Sequence, residues 1–284
     1  MKRIFVVGCP RSGTTLAQSL ISSHSDLVTL PETHFFDQVK PTGRLRGLLN
    51  LPSSEADRKL QRLAKRYGLE RTRAFLPSLS IEHAVTRFVR LLDQYARFEN
   101  CSGWLEKTPI HLHHVDVIQK TVPNPHFVHV LRYGEDTIAS LFDVTQRNPE
   151  AWGGARHLED CIGRWVDDVK LSLSYTNLSN HTIIRYSTMV EWPEMVCQEV
   201  WGFTGMPSEN LKTDQFRDAS KKAEPSKAPW QAVDQDVDQK QEKFQNVLTD
   251  KQRRKVLDRL EVEVRKEGIM SGETGLSRSV GKEA

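Results

Sequence analysis

Only four cysteines occur in 284 residues, at positions 9, 101, 161 and 197, and no two of them form a CxxC pair. Such scattered thiols argue against a disulfide framework or a zinc site and fit a reducing compartment. No apolar run approaches the roughly 20 residues of a membrane-spanning helix, so no membrane span is expected. The chain opens Met1-Lys2-Arg3 and passes straight into a short apolar run, without the longer apolar stretch and small-residue cleavage site of a secretory leader. A cytoplasmic protein is the expectation. Excess charge is scarce too: the formal net charge is only +3, which gives no reason to expect nucleic acid as a partner.

One further absence frames the functional question. After the apolar run Ile4-Phe5-Val6-Val7, the segment Gly8-Cys9-Pro10-Arg11-Ser12-Gly13-Thr14-Thr15 has the framing glycines and paired hydroxyls of a phosphate-binding P-loop. Thr14 stands where the G-x-x-x-x-G-K-[ST] pattern has lysine. A strand that ends in a glycine-bounded turn and opens a helix points several backbone N–H groups at one spot, where the helix dipole also favours an anion. In a nucleoside triphosphatase the lysine reaches the β- and γ-phosphates, so its loss argues against ordinary triphosphate chemistry. Arg11 is the replacement cation inside the loop.

The segment Pro10-Arg11-Ser12-Gly13-Thr14-Thr15 resembles the 5′-phosphosulfate loop of the sulfotransferases that use PAPS, 3′-phosphoadenosine 5′-phosphosulfate. Those enzymes carry a second element at the end of a later strand, an arginine followed eight positions on by a serine, both for the 3′-phosphate. Here the β-prone run from Phe127 to Leu131 follows the turn signal Pro123-Asn124-Pro125 and leads to Arg132 and, on the next predicted helix, Ser140. Arg132 thus belongs at the carboxyl end of a strand, the edge where open α/β sheets bind ligands.

Further pieces are similar to the tyrosylprotein sulfotransferase branch and its small bacterial relatives. Leu30-Pro31-Glu32-Thr33-His34 matches a Glu-Glu-Thr-Arg stretch whose second glutamate is the catalytic base, which implies Glu32 as the base. His34 replaces the arginine and is a candidate substrate contact. Trp104-Leu105-Glu106-Lys107-Thr108-Pro109 resembles an Asn-Lys-Asp-Pro stretch whose lysine touches the bridging oxygen of the phosphosulfate. That implies Lys107 as the leaving-group cation, with Trp104 beside it as a candidate substrate contact. Tyr186 matches a Tyr-Glu-x-Leu motif that lacks its glutamate here, and Pro193 then opens an apolar-periodic helix, a favourable first-turn position for proline.

The resemblance spans about residues 3 to 205 and implies a three-layer P-loop α/β fold with a parallel sheet flanked by helices. The length suits one domain, expected at 1–268, with a loose tail at 269–284. A helical insertion is expected at about 40–100. Within it, residues 44–73 carry nine basic against three acidic side chains, which reads as a solvated helix face or as attraction for an anionic ligand. The polar stretch at about 213–245 reads as a long loop over the cofactor, with Lys227 a candidate for the 3′-phosphate. The histidines at 111, 113 and 114 are spaced so that they do not share one helix face, and no metal site is expected of them.

The expected activity is in-line transfer of the sulfuryl group from PAPS to a hydroxyl or amine of a small-molecule acceptor, leaving 3′,5′-adenosine bisphosphate (PAP). Arg11, Ser12, Gly13, Thr14 and Thr15 would hold the 5′-phosphosulfate, and Arg132, Ser140, Tyr186 and Lys227 the rest of the nucleotide. A P-loop kinase or hydrolase, a nucleotide-binding module without catalysis, and a peptide-tyrosine sulfotransferase remain alternatives. Oligomeric state is not legible, with a homodimer left open.

Overall fold

The computed structural model describes residues 1–41, 43–69, 77–210 and 243–267. Its centre is strand β1 (Lys2–Gly8), whose apolar run is buried on both faces as the middle strand of a parallel sheet must be. The other strands are β2 (Leu27–Leu30), β3 (Gly103–Lys107), β4 (Pro125–Leu131) and β5 (His181–Arg185). All pairings are parallel and the strand order is β2-β3-β1-β4-β5. The registers Val6 to Lys107, Gly8 to Val130 and Leu131 to Arg185 bring the carboxyl ends of four strands to one edge.

Period-two alternation divides the core. Ile4 and Val6 pack on one face with α1 (Thr14–Ile21), α9 (Tyr186–Glu191) and α10 (Pro193–Thr204). Phe5 faces the opposite way, stacked on Phe127 with ring centroids 5.6 Å apart and edge-on to Trp104 at 5.3 Å. That second face is covered near β2 and β3 by α2 (Phe35–Val39), α4 (Ser54–Arg66), α5 (Ile81–Phe98) and α6 (Val115–Thr121). Near β4 and β5 it is covered by α7 (Gly134–Arg147), α8 (Leu158–Ser174), α11 (Lys243–Val247) and α12 (Asp250–Glu267).

Between β2 and β3 the chain forms α2, the short α3 (Arg44–Leu48), α4 and α5. The serine caps expected of such helices are present: Ser53 accepts from the Ala56 N–H and Ser80 from the His83 N–H. Asp93 on α5 receives both the Arg3 guanidinium, at 2.8 Å, and the Trp104 indole N–H, at 2.9 Å. These bonds tie the inserted helices to the sheet. Trp104 is fully buried there, so it is structural and not the substrate contact expected of it. Among the described residues no helix is long and apolar enough to cross a membrane.

Candidate active site

The loop between β1 and α1 is fixed by backbone shape. Gly8 has φ +150°, and a Cβ there would come within 2.7 Å of the Val130 carbonyl, so only glycine allows β1 to end this close to β4. Arg11 takes the left-handed conformation at φ +74° and Gly13 is at φ +98°. A side chain at Gly13 would strike the Tyr186 ring at 2.3 Å. The Ser12 hydroxyl is buried and, among the described residues, has no hydrogen-bond partner. A cradle of backbone N–H groups at a helix start, with an unsatisfied buried hydroxyl beside it, fits a phosphate or sulfate oxygen.

The second element lies against the first. The Arg11 Nε–H donates to the Ser140 hydroxyl at 3.2 Å, across 129 positions of sequence. Arg132, at the end of β4, stands 4.2 Å over the Tyr186 ring and donates to Asp136 at 3.2 Å. The Tyr186 ring therefore lies between Gly13 and the Arg132 guanidinium and locks the loop to both strand ends. A cavity of ≈ 450 Å³ opens here, lined by Leu131, Arg132, Tyr133, Trp165, Arg185 and Tyr186 among others. Its volume and its mix of aromatic walls and cations suit a nucleotide.

On the other side of the loop, Lys107 ends β3. Its Nζ donates to Glu32 Oε1 at 2.6 Å and to the Thr15 hydroxyl at 3.2 Å. Glu32 sits in the turn between β2 and α2, which is pinned from two directions. Phe35 and Phe36 are fully buried, with Phe35 stacked on Phe88 at 4.2 Å. Below the turn, the buried Glu106 carboxylate accepts from the Thr33 hydroxyl at 2.8 Å, from the Thr108 hydroxyl at 2.6 Å and bonds the His111 ring at 3.0 Å.

The family model described as "Sulfotransferase family" matches residues 3–210, a span that includes all three of these clusters. The chain belongs to the sulfotransferase family. Among solved structures, the sulfotransferase domain from the curacin biosynthetic pathway superposes with a TM-score of 0.56 at 18% identity, covering 91% of this chain and 97% of that one. The corresponding domain of the Synechococcus PCC 7002 olefin synthase gives 0.53 at 16%, covering 91% and 94%. Mouse sulfotransferase SULT7A1, whose structure is complexed with PAP, gives 0.53 at 12%, covering 94% and 86%. At these identities the likeness is one of fold. No curated protein sequence matches the chain.

Of the sequence-predicted residues in this sulfotransferase, Arg11, Ser12, Gly13, Thr14 and Thr15 form the loop, Ser140 and Tyr186 touch it, and Arg132 stacks on Tyr186. Glu32, His34 and Lys107 converge beside Thr15. Lys227 falls outside the described residues, as does most of the 213–245 stretch. The three histidines after Pro109 diverge to three carboxylates: His111 to Glu106, His113 to Asp168 and His114 to Asp37.

The electrostatics of the Glu32 cluster follow from its partners. Burial raises the Glu32 pKa, but the Lys107 charge and the His34 hydrogen bond outweigh it and bring the value to about 2. Hydrogen bonds to Asp37 and then Glu32 raise His34 to about 9, against the opposing effect of burial. Burial likewise raises Glu106 and Asp37, and their histidine partners reverse this, holding both below the ordinary carboxylate range.

Sequence reading missed several residues here. Glu106 meets Thr33, and His114 meets Asp37, across more than 70 positions that spacing does not show, whereas the His34–Asp37 and Glu106–His111 contacts are local and were simply not read. Arg185 had a signal, because it precedes Tyr186 at the end of a strand. It is half-buried in the nucleotide-sized cavity, and among the described residues no carboxylate pairs with it.

Proposed function

We propose that this sulfotransferase moves the sulfuryl group of PAPS to a hydroxyl or amine of a small-molecule acceptor, with Glu32 as the base. The observation that carries this reading is the convergence of Glu32, Lys107 and Thr15 at the phosphate loop, within 2.6 and 3.2 Å of the Lys107 nitrogen.

Bound PAPS supplies the sulfuryl group, and its bridging oxygen leaves with the electron pair of the broken S–O bond on the 5′-phosphate of PAP. The protein's work is placement and charge neutralisation, as in phosphoryl transfer. The loop N–H groups, Arg11 and the Ser12, Thr14 and Thr15 hydroxyls hold the phosphosulfate end. Arg132, Ser140 and Arg185 receive the 3′-phosphate, and Tyr133, Tyr186 and Trp165 wall the cavity around the nucleoside. Glu32 takes the proton of the attacking hydroxyl or amine. Lys107 neutralises the leaving oxygen, and in moving to it withdraws the positive charge that depresses the Glu32 pKa, so the base gains strength when it is needed.

Radiolabelled PAPS incubated with phenolic, alcoholic and amine acceptors tests this directly. Label on an acceptor supports the reading; a protein that binds neither PAPS nor PAP contradicts it.

A further inference from the structure

A line of ionisable side chains continues from the reaction centre into the protein. Lys107 holds one Glu32 oxygen, and the other oxygen lies 3.1 Å from His34 Nε2. The second His34 nitrogen, Nδ1, is 3.3 Å from Asp37 Oδ2, and the remaining Asp37 oxygen is 3.0 Å from His114 Nε2. His34 occupies a left-handed backbone position, φ +50°, uncommon for a residue with a side chain, and its N–H donates to the Thr108 hydroxyl at 3.3 Å. The imidazole is thus held at its backbone and at both ring nitrogens.

The two cations on Glu32 cannot serve the same purpose. In the reaction proposed above, on which this inference rests, Lys107 is drawn to the leaving oxygen and gives up Glu32. His34 is then the group that orients the carboxylate. An imidazole can donate to Glu32 and to Asp37 together only as the cation, since the neutral ring has one N–H and one lone pair. Asp37 favours that charged form, and His114 fixes Asp37 in turn. We infer that Asp37 and His34 are positioning residues that aim the Glu32 carboxylate at the acceptor while Lys107 attends to the donor.

The charged and titratable groups around this unit are Glu32, from the turn before α2; Asp37, on α2; Lys107, on β3; and the imidazoles of His111 and His114, on the turn after β3, which face Asp37. Asp37 and Glu32 hold the His34 proton to about pH 9. Removing the Asp37 charge takes away a partner of the cation, so the His34 pKa must fall.

Two readouts test the inference. In ¹⁵N-labelled full-length protein, the His34 ring of Asp37→Asn should titrate at least about one unit lower than in the wild type; an unmoved titration overturns the inference. With PAPS as donor and 2-phenylethanol, an alcohol that stays protonated across the range, as probe acceptor, followed as PAP release, Asp37→Asn and His34→Ala should lower kcat at least about tenfold with the Kd for PAP unchanged. That loss is a fraction of the ~10²–10⁴-fold a placed base contributes. The alkaline limb of kcat should move to lower pH in Asp37→Asn and vanish in His34→Arg, whose charge is permanent. A kcat profile for Asp37→Asn that superposes on the wild type overturns the inference. Absence of PAP release from the wild type instead counts against the sulfotransferase reaction itself, while the ring titration still reads the positioning unit.

Discussion

Lys107 and Glu32, 75 positions apart in sequence, meet at 2.6 Å beside the phosphate loop. The group assigned to the leaving oxygen and the group assigned to the acceptor's proton are therefore bonded to each other, and transfer requires that bond to open. Glu32→Gln keeps the size and a hydrogen-bonding oxygen for Lys107 but not the basicity. Turnover should fall ~10²–10⁴-fold with PAP affinity changed less than about twofold. Retained turnover removes Glu32 from the role of base.

Gly13→Ala tests the packing of the loop. Its φ of +98° strains any side chain, and the new methyl would have to displace the Tyr186 ring, which in turn supports Arg132. Calorimetry should show PAP binding weakened by about tenfold or more, with a loss of stability of ~1 kcal/mol or more. Unchanged PAP affinity would show that the Tyr186 ring is not part of the nucleotide site.

Arg185→Ala separates the 3′-phosphate from the rest of the nucleotide. A hydrogen bond to a charged group contributes ~1.5–3 kcal/mol, so PAP affinity should drop about tenfold to a hundredfold. Binding of 5′-AMP, which has no 3′-phosphate, should stay the same. Equal weakening of both nucleotides would move Arg185 to the base or ribose.

A buried histidine pair on β4 and β5 makes the fold sensitive to acid. His129 Nε2 and His181 Nδ1 are 2.9 Å apart beneath Tyr175, and His181 Nε2 bonds Gln119 at 2.9 Å. Burial lowers His129 to about 3 and His181 to about 4, so both are neutral in the fold. Depressed folded-state values mean stability is complete above the ordinary histidine pKa near 6.5 and is lost as pH falls toward 4 and 3. Urea unfolding should show wild-type stability dropping between pH 7 and 5, by up to about 2 kcal/mol for His129. His129→Gln should show a smaller drop; an equal one would locate the acid sensitivity elsewhere.

The strand-to-helix turn of the glycine loop, and the placement of Arg132 at the end of β4 with Ser140 on the next helix, were legible because each is local in sequence. The four-residue strand β2 and the long helix α8 were not read, the first too short for periodicity to register. Trp104 was misread for a reason its own strand supplies. Side chains alternate along β3, so if Lys107 faces the loop with Leu105, then Trp104 and Glu106 face the opposite side. The Thr33–Glu106 and Asp37–His114 contacts were beyond reach, since they join the turn before α2, and α2 itself, to residues more than 70 positions later, and only the parallel pairing of β2 with β3 brings them together.

The central claim is that the altered P-loop and Arg132 hold a 3′-phosphorylated adenine nucleotide. Calorimetric titration of the full chain with PAP, set beside ATP with Mg²⁺, measures this most directly. The account predicts tight binding of PAP and little of ATP. The reverse preference would contradict it and make the loop that of a kinase or nucleotide hydrolase.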